Sequence, residues 1–310
     1  MRASRHKEAR SGGEGLERSC HGATTSWIAS TRPVDGVELF QAWLRGEAYE
    51  KHRHDTYAIG VTDTGVQVFD YRGAVHARTP GDVVVLHPDE PHDGRAGTRD
   101  GFGYRIVYVE PSVVAEAVRT LRGRPGPLPF VSAAVSNSRA LARAIARAFR
   151  TPLVPLAVDS LVVELIEGLM EVAEDRVEDR VGARVSRRVA VGAVERAREF
   201  LDAERTRVVH STELEAITGL TRYDLARQFR IMFGTSPYRY LVMRRLAFAR
   251  ERLHGDRPLV EIAHDAGFAD QAHFTRAFRS AFGLTPARYR RLSVLAAKRF
   301  RGGPAPTAAS

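Results

Sequence analysis

The sequence predicts an α+β multidomain protein: an N-terminal antiparallel β-barrel with following helices, then an all-α C-terminal domain whose two helix-turn-helix units are joined by a long helix. Three observations predict it. The chain has 310 residues, more than one compact domain of ordinary size uses. Its first half alternates apolar and polar residues with period two between Gly and Asp-Gly breaks, whereas its last third places apolar residues three and four apart. That last third also contains one pattern twice.

In chain order, residues 1–30 are basic, contain Gly and Ser, and lack the apolar core of a secretory signal, so a disordered extension is expected. Cys20 is the only cysteine, which excludes an intramolecular disulfide and agrees with a reducing, cytoplasmic compartment. Residues 31–124 read as the barrel, from the runs AYEKH, TYAIGV, VQVFDY, DVVVLH and YRIVYV. After the Pro/Gly linker RGRPGPLPF, residues 125–186 carry two helical patterns, SRALARAIARAFR and LAVDSLVVELIEGLM. Leu161, Leu165 and Leu169 share one face of the second, suited to covering the barrel or pairing with a second subunit. Asp159, Glu164 and Glu167 interrupt this most apolar segment, so no membrane span is expected. The charged run 171–188 reads as a solvated helix end and linker. Residues 187–299 form the helical domain, and 300–310 a disordered tail.

The doubled pattern is GLTRYDLARQFRIMFGTSPYRY (219–240) and GFADQAHFTRAFRSAFGLTPARYR (267–290). Phe229 matches Phe278, Phe233 matches Phe282, Gly234 matches Gly283, Pro237 matches Pro286 and Tyr240 matches Tyr289. Each copy reads as a short helix, a turn centred on Gly219 or Gly267, and a second helix. Thr221 and Asp270 suit the N-caps of the second helices, Gly234 and Gly283 their left-handed ends, and Ser236-Pro237 and Thr285-Pro286 the starts of the helices that follow. Leu225, Phe229, Phe233, Phe274, Phe278 and Phe282 are committed to packing. The outer faces carry Arg222, Tyr223, Arg227 and Arg230 in one copy, and Gln271, His273, Thr275, Arg276 and Arg279 in the other. Arginine can grip guanine and glutamine adenine through paired hydrogen bonds, and a helix fits the major groove. Between the copies, Pro237 to His254 reads as one helix of eighteen residues, roughly 27 Å long.

The net charge is +10 and is located: residues 205–300 hold 18 Lys/Arg against 8 Asp/Glu, residues 1–204 hold 28 against 29. Nearly all of the excess is arginine, which fits a polyanionic partner; charge alone fits a solvated basic surface equally well.

EIAHDAGFADQAHFTRAFRSAFGLTPARYR closely resembles the C-terminal signature of the AraC/XylS family of transcription regulators, and residues 187–292 resemble that family's DNA-binding domain. The resemblance implies that Tyr223, Ala226 and Arg227 in the first reading helix, and Gln271, Ala272, His273, Thr275 and Arg276 in the second, face bases. It also implies double-stranded promoter DNA as partner, RNA polymerase as a second one, and leaves a homodimer open.

In the first half, His52 and His54 are two apart in an expected strand and so share a face; His92 follows GDVVVLHPDEP. With Gly46 and Gly65 they resemble the two cupin motifs, in which histidines and a glutamate surround a metal. Ala58 stands at the glutamate position and Ala96 at an asparagine position, so the metal set is incomplete. His52, His54, His92, Tyr57 and Tyr104 are therefore candidates for a small-molecule effector pocket in a cupin-like barrel, with no cofactor, metal or catalytic residue assigned, though three histidines alone can hold zinc or iron. His76 and His87 read as ordinary strand or loop residues. The expected protein is an effector-sensing, sequence-specific transcription activator. The rivals are a metal-dependent cupin enzyme fused to a DNA-binding tail, and an architectural DNA-binding protein without a ligand.

Overall fold

The computed structural model describes residues 26–124, 126–150, 154–173 and 189–299. The tail at 300–310, most of the charged run at 171–188, and Cys20 with most of the expected extension lie outside them. Residues 27–30, assigned to that extension, instead belong to a strand.

Among the described residues ten strands run Trp27–Val34 (β1), Val37–Leu44 (β2), Glu47–His52 (β3), Tyr57–Gly65 (β4), Gln67–Tyr71 (β5), Ala74–Arg78 (β6), Val83–Leu86 (β7), His92–Ala96 (β8), Phe102–Val109 (β9) and Val135–Ser136 (β10). They form a six-stranded sheet in the order β1-β2-β9-β4-β7-β10 and a four-stranded sheet in the order β3-β8-β5-β6. All pairings are antiparallel. Side-chain alternation assigns the two faces of the larger sheet. Phe40, Ala42, Leu44, Ala58, Tyr104 and Ile106 belong to the core that also takes Phe69 and Tyr71 of the smaller sheet. Val37, Leu39, Tyr57, Ile59, Val61, Val107 and Val109 face the other way, into a second core closed by three helices: Pro111–Arg122 (α1), Arg139–Ala148 (α2) and Pro155–Val172 (α3). Leu161, Leu165 and Leu169 are buried there, so the shared leucine face covers the sheet. None of the described helices is long and apolar enough to cross a membrane.

The C-terminal part comprises Val191–Ala203 (α4), Ser211–Thr218 (α5), Arg222–Phe233 (α6), Pro237–Glu251 (α7), Leu259–Asp265 (α8), Gln271–Phe282 (α9) and Pro286–Arg299 (α10). Both helix-turn-helix units follow the expected punctuation. Thr221 accepts from Asp224 N–H at 3.2 Å and Asp270 from His273 N–H at 2.6 Å. Gly234 and Gly283 close α6 and α9 with φ of 69° and 66°, the left-handed geometry that suits glycine. The joining helix is shorter than expected: α7 ends at Glu251 and a 3-10 turn, Arg252–His254, follows. Its fifteen residues span roughly 22 Å.

The two parts are packed together. Met243, Leu246, Ala249, Phe274, Phe278, Ala281, Leu284 and Tyr289 join the barrel's inner core. α10 lies along β1, α9 against β3, and α6 against α1. β3 is an edge strand whose outward N–H groups need partners, and the last turn of a helix has carbonyls that need donors. The two needs meet: Glu50 N–H donates to Gly283 O at 3.0 Å and Arg53 N–H to Ser280 O at 3.1 Å.

Candidate functional site: an interdomain cavity beneath two reading helices

A cavity of about 100 Å³ lies between the sheets and is closed from one side by α7 and α10. Phe40, Phe69, Val84, Leu86 and Ile106 supply its apolar wall, and His52, His54, His92, Tyr49, Tyr104 and Tyr108 much of its polar one. β3 and β8 carry the histidines to one place, with His52 opposite His92 in the ladder. Ring centroids lie 4.3 Å apart for His52 and His92, 4.9 Å for His54 and His92, and 6.3 Å for His52 and His54. Each Nδ1 sits on a backbone carbonyl: Glu50 at 2.8 Å, Thr56 at 2.9 Å and Glu90 at 3.0 Å respectively. A carbonyl only accepts, so each Nδ1 donates and the neutral ring keeps a bare Nε2. Burial lowers the pKa of His92 to about 4 and of His52, with help from His92, to about 3; burial and the same neighbours hold His54 well below its ordinary value. His54 Nε2 is buried without a partner.

The donor set is incomplete for a cupin metal: Ala58 stands where an acidic ligand would be needed and is fully buried, and among the described residues no group of three or more His, Cys, Asp or Glu is arranged to hold an ion. Tyr104 lines the cavity and donates from its hydroxyl to that of Tyr49 at 2.6 Å. Tyr57 does not. It lies on the opposite face of the sheet, its hydroxyl donating to Pro129 O at 2.9 Å. Its odd position beside inward-facing Ala58 carried that information. His87 is also structural, taking Tyr71 and Val131 as hydrogen-bond partners.

Among the cavity residues that escaped the sequence reading are Arg78 and Gln67. Arg78, at the end of β6, is 2 % exposed, and burial lowers its pKa to about 10. Its Nε and Nη2 both donate to Gln67 Oε1, the Nε bond being 2.7 Å long. The available signal was alternation along HAR in β6, which places Arg78 on the same face as His76.

The reading helices present the expected outer faces. Arg222, Tyr223, Arg227 and Arg230 are exposed on α6, Tyr223 at 75 %; Ala226 is half-buried. On α9, Gln271, Ala272, Arg276 and Arg279 are exposed, while His273 and Thr275 are half-buried. His273 leans its ring on Phe268, with centroids 5.3 Å apart. The arginine excess of the last third is not wholly free for a polyanion. Arg239 pairs with Asp89, Arg244 with Asp55 and Glu110, Arg250 with Glu38, and Arg279 with Glu50. Burial alone would lower Arg244, but Asp55 and Glu110 hold it above the usual guanidinium range.

A small-molecule cavity sealed by a double helix-turn-helix domain defines a class, the ligand-binding transcription regulators that read DNA with the same chain. The comparisons place the chain within it. A model of the AraC-like ligand-binding domain matches residues 36–166, and a helix-turn-helix domain model matches residues 214–292. The chain belongs to the AraC family of DNA-binding transcription regulators, with an N-terminal ligand-binding domain. The uncharacterised regulator YbfI of Bacillus subtilis is 28 % identical over 73 % of this chain and 82 % of its own length. The activator RhaS of Escherichia fergusonii is 43 % identical, over 23 % of this chain and 26 % of its own. Among solved structures, ToxT of Vibrio cholerae superposes with a TM-score of 0.56 at 10 % identity, covering 86 % of this chain and 99 % of that one; this likeness is one of fold.

Proposed function

We propose that the chain is a one-component activator: the interdomain cavity binds a small organic effector, and α6 and α9 read successive major-groove segments of a promoter. The observation that carries this reading is the place of the cavity, whose wall is built partly by α7 and α10 of the DNA-binding domain. An occupant of that space touches both parts, and so can favour one arrangement of barrel and readers by binding it more tightly. The reading is of a non-enzymatic, cytoplasmic protein that recruits RNA polymerase and is free to dimerise; the incomplete cupin donor set and the regulatory relatives support the first of these. ToxT has been crystallised with an unsaturated fatty acid, which supports an organic occupant for this fold.

Selection of duplexes from a random pool by the full chain tests the DNA half. One recurrent motif is expected. Arg227→Ala and Arg276→Ala should each relax preference at particular bases by about 1 to 3 kcal/mol. Retention of random duplex as strongly as any selected one would remove the reading, and equal loss on all sequences would reassign both arginines to phosphate.

A further inference from the structure

Four arginines line the cavity. Arg32 and Arg250 share Glu38, and Arg244 has Asp55 and Glu110. Arg78 is the exception among the described lining residues: it has no carboxylate within bridging distance, although it is the most deeply buried of the four. Its contacts are the neutral amide oxygen of Gln67 and the ring of Tyr104, 5.4 Å from the guanidinium carbon. Asp63 and Asp82 contribute to its electrostatic surroundings but neither bridges to it: Asp63 is paired with Arg105, and Asp82 accepts from Thr79 N–H and hydroxyl. A buried guanidinium without a counter-charge is unfavourable unless something supplies one.

The geometry of the vacant donors says what that something is. A guanidinium has five N–H bonds in a plane. Gln67 Oε1 takes the side-on pair, from Nε and Nη2, and Nη1 is buried with no partner. The edge left over is the end-on fork, Nη1 with the second Nη2 hydrogen, which matches the two oxygens of a carboxylate. We propose that the effector is a small organic carboxylate, its carboxylate held end-on by Arg78 and its apolar body against Phe40, Phe69, Leu86 and Ile106. A single unbalanced guanidinium neutralises one negative charge, so a dianionic phosphate would bring in a second charge with no guanidinium left to balance it. A cavity of about 100 Å³ sets the size: an apolar cavity of about 150 Å³ holds the six heavy atoms of benzene, so monocarboxylates of roughly four to six heavy atoms fit. The inference rests on the reading of the cavity as the effector site and narrows its chemistry.

Calorimetric titration of the full chain with straight-chain and cyclic monocarboxylates of two to four carbons, with their primary amides, and with inorganic phosphate tests it. At least one carboxylate should bind about tenfold or more tightly than its amide, with phosphate weaker than both. Arg78→Lys should keep the preference at reduced affinity. Arg78→Met combined with Gln67→Leu removes both hydrogen-bonding partners together, leaves neither buried and unpaired, and should bring the ratio of carboxylate to amide near one. Amides binding as well as carboxylates in the unaltered protein would overturn the inference and leave the cavity as an effector site for neutral molecules. A preference that survives the double substitution would overturn it in favour of another cation, and tightest binding by phosphate in favour of a bare anion site. Binding by no member of the set would end both the carboxylate inference and the reading of this cavity as the sensor, while DNA selection by the same protein remains a separate result.

Discussion

His54 and His92 are buried and neutral, and that links folding to pH. His54 faces His52, His92 and Arg239; His92 faces His52, Glu90 and Arg78. Their folded pKa values lie below the unfolded value near 6.5, so between those limits the unfolded chain binds more protons than the folded one. For His92 stability is therefore fully present above about pH 6.5 and is lost as pH falls toward about 4, by about 1.4 kcal/mol per pH unit, and His54 acts in the same direction. Denaturant titrations at pH 7 and pH 5 should show the loss, and His92→Gln should reduce the slope by one histidine's share; a slope unchanged by the substitution would mean that His92 already titrates normally. At this scale the sequence was informative where residue type and parity act together. The three histidines and Tyr104 meet in one cavity because they share inward positions, and Tyr57 was misplaced because chemistry was weighed above alternation. Arg78 stayed hidden for a different reason: an isolated arginine near a strand end has the sequence signature of a solvent-facing one, and only the facing six-stranded sheet, with the Tyr104 ring against it, makes it buried.

Elements were legible wherever punctuation repeats. The caps of α6 and α9 could be read because each copy checks the other. α1 was not read as a helix, although Pro111 at its start and Gly123 in the left-handed region at its end are the usual boundary signals. The two matched end glycines now separate by context. A Cβ on Gly234 would lie 3.5 Å from Pro88, an ordinary contact, so Gly234→Ala should lose only the left-handed preference, about 1 kcal/mol. A Cβ on Gly283 would lie 2.8 Å from both Glu50 O and His52 Nδ1, where backbone cannot yield without parting α9 from β3. Gly283→Ala should therefore cost about 1 kcal/mol or more beyond its twin in denaturant unfolding. Equal costs would show that the α9–β3 joint gives way without resistance.

For the whole molecule, the sequence placed the basic excess correctly along the chain but could not say how much of it the barrel claims. Ion pairs between residues so far apart in the chain leave no local pattern. The claim differs in strength from pair to pair. Arg250 and Glu38 are both buried, so removing either partner alone should be costly, about 3 to 5 kcal/mol. Arg279 and Glu50 are 52 % and 54 % exposed, and such a pair is worth at most about 1 kcal/mol, which a phosphate can outbid. Glu50→Gln should accordingly strengthen DNA binding by at most about 1 kcal/mol, because Arg279 no longer gives up a partner to meet a phosphate. An unchanged affinity would show that Arg279 keeps Glu50, or meets no phosphate, in the complex.

The two bonds between β3 and the end of α9 run from main chain to main chain. A main-chain bond does not depend on which side chain either residue carries, so replacements in the lining of the barrel can change the cavity's chemistry while this seam between the two parts stays intact.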